Sequence, residues 1–398
     1  MSNNSGNQNT SGLPPCPFIS VTTRPITGLQ VDIYGLAELS PSVHHVSILW
    51  LHHQRTRNKE SMRDIASRCI AAWNSFSHHQ NTHSPHNTPQ TERRGLIAIA
   101  YDQRNHGTRL VDDRVNGSWR EGNENHAVDM FGGIRGMVVD QGLLIDVVEG
   151  CLWPRGEKRV DQHLGLGVSL GGHSVWELMF ADRRVRAGVC VIGCPDFMSM
   201  FPPIQSAILR GMLTRDVCAD LMSDRARLSK LSTYSAQDDG ASFLGSRDFP
   251  PSLIKACNQY DPKAILFGPH PVPDQPQQTR QELIRQTILY ERLQGKKLLV
   301  CSGGVDKLVP PRCSEPFMNW LKSAAVNPPS PSFDKEQRFW VDDRIYPGVG
   351  HEFSSEMVKD AVQFIVGAVM GAGEDRYNPE TREEQRSGRE GFVPSPNI

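Results

Sequence analysis

Gly167-Val168-Ser169-Leu170-Gly171 joins an apolar run, Gln162–Val168, to a stretch with helical character, Gly172–Phe180. A serine on a sharp strand-to-helix turn sits in a strained backbone conformation with its hydroxyl exposed. Glycines two residues to either side are needed because a larger side chain would clash in so tight a turn. The chain has 34 glycines, so the pattern by itself is equally a glycine-rich turn with an incidental serine. Its weight depends on what surrounds it.

Apolar strand-like runs alternate with amphipathic helical ones along most of the chain. Phe18–Arg24 and Leu29–Tyr34 read as a hairpin, followed by strands at His45–Leu51, Leu96–Tyr101, Leu164–Val168, Ala187–Ile192, Lys297–Cys301 and Arg338–Val341. Helical spacing marks Ser61–Ser75, Asn125–Leu152 with glycine interruptions, Gly172–Ala181, Gln281–Leu293, Ser314–Ala324 and Ser354–Val369. Residues 77–91 read as a surface loop. This order predicts the α/β class, a mostly parallel sheet covered by helices on both faces. Ligands of such sheets bind at the carboxyl ends of strands, so the reactive residues expected to meet a ligand are those just after strands.

With 398 residues, 38% of them hydrophobic, the chain can bury a large core. A formal net charge of -1 offers no basic excess for nucleic acid or an anionic membrane. No apolar run approaches the ~20 residues of a membrane span. The nine cysteines form no Cys-x-x-Cys pair, which fits a reducing compartment. With no apolar leader after Met1, a cytoplasmic location is expected. His78, His79, His83 and His86 lack acidic or cysteine partners at ligand spacing, so no metal site is expected there. Residues 1–16 and 373–398 read as disordered tails.

Three residues stand after strands. Ser169 follows the Leu164–Val168 run. Asp306 lies in Gly303-Gly304-Val305-Asp306-Lys307-Leu308-Val309-Pro310, after Lys297–Cys301. His351 ends Tyr346-Pro347-Gly348-Val349-Gly350-His351, before the last helix. A serine hydroxyl needs a base to become nucleophilic, and the base needs an orienting carboxylate. Alone, Asp306 reads as a turn aspartate and His351 as a helix cap. Together they stand at one sheet end, in small-residue loops able to approach Ser169. Asp196, after Ala187–Ile192, is the alternative acid. Cys194 reads as packing, His106 as a turn residue, His126 as a surface residue and His173 as facing a neighbouring loop.

Over roughly residues 17–370 the chain resembles the α/β-hydrolases, with Ser169, Asp306 and His351 at that family's triad positions. Tyr101-Asp102-Gln103-Arg104-Asn105-His106-Gly107 is similar to the family's Asp-x-Arg-x-x-Gly turn. The resemblance implies an α/β-hydrolase core from residues 17–196 and 281–372, with a helical lid inserted at 197–280. It implies an oxyanion hole from the backbone N–H of Leu170 and of Gln54. His52 matches the family's His-Gly, but His53 replaces the glycine. It implies no cofactor and a small-molecule ester substrate, cleaved through an acyl-enzyme, and a homodimer is compatible with it. A prolyl-oligopeptidase-like peptidase, an acyltransferase, a lactone or C–C hydrolase, and a non-catalytic binding scaffold are the alternatives.

Overall fold

The computed structural model describes residues 9–83, 94–198, 243–273, 279–328 and 338–371. Its strands are β1 (Val21–Ile26), β2 (Leu29–Tyr34), β3 (His45–His52), β4 (Arg94–Tyr101), β5 (Arg159–Val168), β6 (Val185–Val191), β7 (Lys297–Gly303) and β8 (Trp340–Tyr346). They form one sheet in the order β1-β2-β4-β3-β5-β6-β7-β8. β1 and β2 pair antiparallel, as do β2 and β4, and the remaining pairs are parallel.

Helices α1 (Arg63–His83), α2 (His126–Leu152), α3 (Leu170–Ala181), α4 (Pro251–Tyr260), α5 (Pro262–Phe267), α6 (Arg280–Leu293), α7 (Glu315–Val326) and α8 (Ser355–Val369) cover both faces. Successive strand residues point to opposite faces. Val46, Ile48 and Trp50 of β3 therefore join the core beneath α2, α3, α6 and α7. Leu49 and Leu51 join the core beneath α1 and α8. This is the α/β-hydrolase fold.

The structure moves several expected boundaries. The first strand begins at Val21 and runs to Ile26. α1 continues through the expected loop to His83, because no glycine or proline interrupts it before Pro85. α2 runs unbroken through its glycines; a Cβ at Gly136 would lie 2.6 Å from the Arg104 side chain, so that glycine lets the helix close on the loop after β4. The last strand is Trp340–Tyr346 and not Arg338–Val341. Its charged residues hid it: Asp342 and Arg344 pair with each other, and Lys322 with Asp343, as suits the edge of a sheet.

Much of the 197–280 segment, where a helical lid is expected, lies outside the described residues. The described part packs Phe197, Phe243, Phe249 and Leu253 against Trp119, Phe131 and Leu170. Of residues 1–16, those from Asn9 onward are described, and the Asn9 N–H donates to the Phe353 carbonyl (2.9 Å). Residues 373–398 lie outside the described residues. Among the described residues, no helix is long and apolar enough to cross a membrane.

A buried ion pair ties the antiparallel edge to the loop after β3. Lys59 Nζ lies 2.7 Å from Asp32 Oδ2, with both side chains under a tenth exposed. Thr23 Oγ1 donates to the other Asp32 oxygen (2.6 Å). The Lys59 N–H donates to Asp102 Oδ1 (2.8 Å), and the Thr108 N–H and hydroxyl donate to Asp102 Oδ2. Removing one partner of such a pair leaves an uncompensated buried charge. Lys59→Met should therefore cost about 3–5 kcal/mol in urea denaturation. A loss below about 1 kcal/mol would mean that Asp32 does not depend on the pair.

Candidate active site

β5 delivers Ser169 at the carboxyl end of the sheet, beside the ends of β3 and β6. Ser169 has φ 55° and ψ -115°, a strained positive-φ geometry of the kind the sequence pattern predicts. Close packing of backbone enforces it. A Cβ at Gly167 would lie 2.0 Å from the Gly171 carbonyl oxygen, and one at Gly171 would lie 2.1 Å from that of His52. The Ser169 N–H donates to the Val191 carbonyl (2.9 Å). The ring Nδ1–H of His173 donates to the Ser169 carbonyl (2.8 Å), a bond back to the turn.

Ser169 Oγ lies 2.8 Å from His351 Nε2, and His351 Nδ1 lies 2.8 Å from Asp306 Oδ2. The other Asp306 oxygen accepts the N–H groups of Leu308 (2.8 Å) and Val309 (2.9 Å). Burial works to raise the Asp306 pKa, but His351 and those two N–H groups outweigh it and hold the carboxyl below its ordinary value. A carboxylate at Asp306 accepts the Nδ1 proton, which leaves His351 Nε2 free to accept from the serine hydroxyl. The two loops carrying these residues are bound to each other. The N–H groups of Gly304 and Val305 donate to Tyr346 and Val349, and a Cβ at Gly303 would lie 2.3 Å from the Gly350 carbonyl oxygen.

Asp196 is not part of this chain. It is buried, with Lys263 Nζ 3.7 Å from its carboxylate. Cys194 is buried, and burial raises its thiol far above the reactive range.

Leu170 opens α3, so its N–H stands among the unpaired donors of a helix start. Gln54 follows β3 and is buried. His53, in place of glycine, is fully buried and bonded at both ring nitrogens. Its Nδ1 lies 2.7 Å from the Gln54 carbonyl, and its Nε2 accepts the Gln103 N–H (3.0 Å). The first contact requires a proton on Nδ1 and the second a lone pair on Nε2, which fixes one neutral tautomer. Burial keeps it neutral by pushing its pKa well below the ordinary value. The Gln103 side-chain amide donates to the His53 carbonyl. In a trans peptide that carbonyl is opposed to the Gln54 N–H, so the bond from Gln103 fixes the direction in which that N–H points. Sequence reading missed this role; the only signal was the glutamine inside the Asp-x-Arg-x-x-Gly turn.

His52 is also buried, between Ser174 Oγ (2.7 Å) and the Gln141 amide (2.6 Å), and burial lowers its pKa to about 4. His126 is buried, with Nδ1 2.9 Å from the Gly117 carbonyl, and His106 bonds the Arg104 carbonyl within its turn. Among the described residues, no group of three or more His, Cys, Asp or Glu is placed to hold a metal ion.

No family model matches the chain, and no curated protein matches it in sequence. Solved structures do resemble it. TT1662 from Thermus thermophilus is 14% identical, with a TM-score of 0.48 over 89% of this chain and 100% of that one. Acetyl xylan esterase 1 from Thermoanaerobacterium sp. JW/SL YS485 is 14% identical, with a TM-score of 0.39 over 88% and 87%. The acylaminoacyl peptidase of Pyrococcus horikoshii is 10% identical, with a TM-score of 0.39 over 88% of this chain and 40% of that one. The chain thus spans well under half of that peptidase. Likenesses this distant carry nothing toward substrate or activity.

One buried acid near the turn stands apart from the hydrogen-bonded chain. Glu177 of α3 is 2% exposed and pairs with Arg135 (2.8 Å). Burial raises its pKa from 4.5 to about 7, with Arg135 opposing the rise. Between those values the folded protein binds more protons than the unfolded chain, so this group's contribution to stability falls as pH rises. Glu177→Gln removes that dependence. Relative to wild type, the variant should gain up to about 3 kcal/mol in urea denaturation at about pH 8 compared with about pH 5. Parallel pH profiles for the two proteins would overturn this.

Proposed function

We propose that the protein is a serine hydrolase that cleaves a carboxylic ester of a small molecule. The observation that carries the reading is the continuous chain Ser169 Oγ, His351, Asp306 on a turn with positive φ. In this reading His351 Nε2 takes the serine proton as Oγ attacks the ester carbonyl, and Asp306 holds the imidazole and stabilises its cation. The N–H groups of Leu170 and Gln54 receive the developing oxyanion. The intermediate collapses, the alcohol leaves with the proton from His351, and an acyl-serine remains. A water, deprotonated by His351, attacks the acyl-serine and releases the acid. Phe197 and the described helices α4 and α5 share an apolar cluster with Leu170, and in this reading that cluster borders the substrate.

Ser169→Ala should reduce turnover of p-nitrophenyl esters at least ~10⁴-fold with the unfolding midpoint retained. Asp306→Asn should lose about 10⁴-fold, and Asp196→Asn far less. Wild-type-like turnover by folded Ser169→Ala, or no labelling of Ser169 by a fluorophosphonate, would sink the assignment.

Gln103 acts here as a positioning residue through the His53–Gln54 peptide. Gln103→Leu should lower kcat about tenfold with KM little changed. It should also weaken a phosphonate transition-state analogue by a similar factor. A variant that raises KM alone, or binds the phosphonate as wild type does, would show that Gln103 only supports the loop.

A further inference from the structure

A cleft of about 320 Å³ opens beside the turn, with Leu170 in its wall. That is the low end of the range for ligand pockets, ~300–1,000 Å³, and suits a small substrate. Arg55 lines it, next in sequence to Gln54, so its guanidinium belongs to the same short loop as the proposed oxyanion donor.

The charges around the cleft are unequal in their commitments. Arg104 is bound to Asp140 (3.1 Å). Asp129 is the carboxylate of the wall, and it forms no ion pair with Arg55. Arg55 is half-buried and donates from Nη1 to the Asn116 carbonyl (3.1 Å). Among the described residues no carboxylate lies within 4.0 Å of its guanidinium. The Asn116 carbonyl it uses is held in place: Asn105 Nδ2 donates to Asn116 Oδ1, Asn116 Nδ2 donates to the Asn105 backbone carbonyl, and Asn105 Oδ1 accepts the N–H groups of Val111 and Asp112. A guanidinium has five donors in a fixed fork, and the forked geometry matches a carboxylate.

Burial works against a charge on the histidines of the wall. Burial lowers His126 to about 4 and also lowers His106, and the nearby Arg55 charge depresses both further. His106 bonds the Arg104 carbonyl through Nδ1, and its buried Nε2 has no partner among the described residues. The wall thus presents one cation, Arg55, which bonds the Asn116 carbonyl and is attracted by Glu121 from beyond 4.0 Å, with no carboxylate of the described residues in ion-pair contact.

We infer that Arg55 binds a carboxylate of the substrate, so that the preferred ester is a small one carrying a negative charge close to the scissile carbonyl. This inference rests on the hydrolase reading for its reaction and on the cleft for its binding site. The two are separable. Wild-type turnover is compared for p-nitrophenyl hemiglutarate, with the anion on the acyl side, 4-acetoxybenzoate, with the anion on the alcohol side, and uncharged p-nitrophenyl butyrate. At least one anionic ester should exceed the neutral one in kcat/KM, and the better arm assigns the side that Arg55 faces. Arg55→Gln should lower that anionic-to-neutral ratio about 10- to 100-fold, with partial recovery in Arg55→Lys.

Binding is read without turnover in Ser169→Ala by calorimetry with monomethyl glutarate and dimethyl glutarate. The monoester should bind more tightly, and the added Arg55→Gln change should abolish the difference. A neutral preference in wild type, an unchanged ratio in Arg55→Gln, or equal binding of the two glutarates would overturn the inference. Absence of ester turnover together with Arg55-dependent binding of the monoester would overturn the hydrolase reading and leave the anion site standing.

Discussion

The site depends on a crowding of backbone around Ser169. β5 ends, α3 begins, and the ends of β3 and β6 pass alongside at distances that leave no room for a Cβ at Gly167, Gly171, Gly172 or Gly193. Ser169 takes its unfavourable φ because those four segments leave no alternative path. Such strain persists only where the surroundings over-determine it. Here they are the central strands of the sheet, buried on both faces, so the cost is borne by the best-packed part of the molecule.

Around that fixed point the remaining groups are held by paired loops. Gly303-to-Asp306 and Tyr346-to-His351 bond to each other before they reach the serine. The loop after β3 is held by Gln103 and His53 from one side and by Lys59, through Asp32 and Asp102, from another. Where the related pattern has a glycine, His53 supplies a rigid buried ring in a single tautomer. The departure from the family pattern is accommodated by a partner drawn from the turn after β4.

The sequence made the alternation of strands and helices legible because most of these strands are buried on both faces and read as apolar runs. Ser169 and Asp306 stand out because each follows such a run in a small-residue loop, and His351 because it closes a Gly/Pro-rich loop before the last helix; the structure brings the three within hydrogen-bond reach. β8 was only partly legible: an edge strand carries charges, and Asp342, Asp343 and Arg344 mask the period-two signal. The continuation of α1 to His83 was missed because histidine, asparagine and glutamine are common in both loops and helix ends. The backbone bonds of His173 and Gln103 were not legible. Their roles depend on which backbone carbonyl folds back toward them, and that is a property of three-dimensional closure.

The neutral histidines give the region an unexpected electrical constancy. His52, His53, His106 and His126 all lie close to the cleft or its loops, and burial holds each below its ordinary pKa. A chain with 14 histidines would ordinarily gain local positive charge on mild acidification. In this wall burial works against that gain, so the field felt by an entering molecule leans on permanent charges, with Arg55 foremost. The charge selection inferred for Arg55 then depends less on the acidity of the surroundings than a histidine-lined site would.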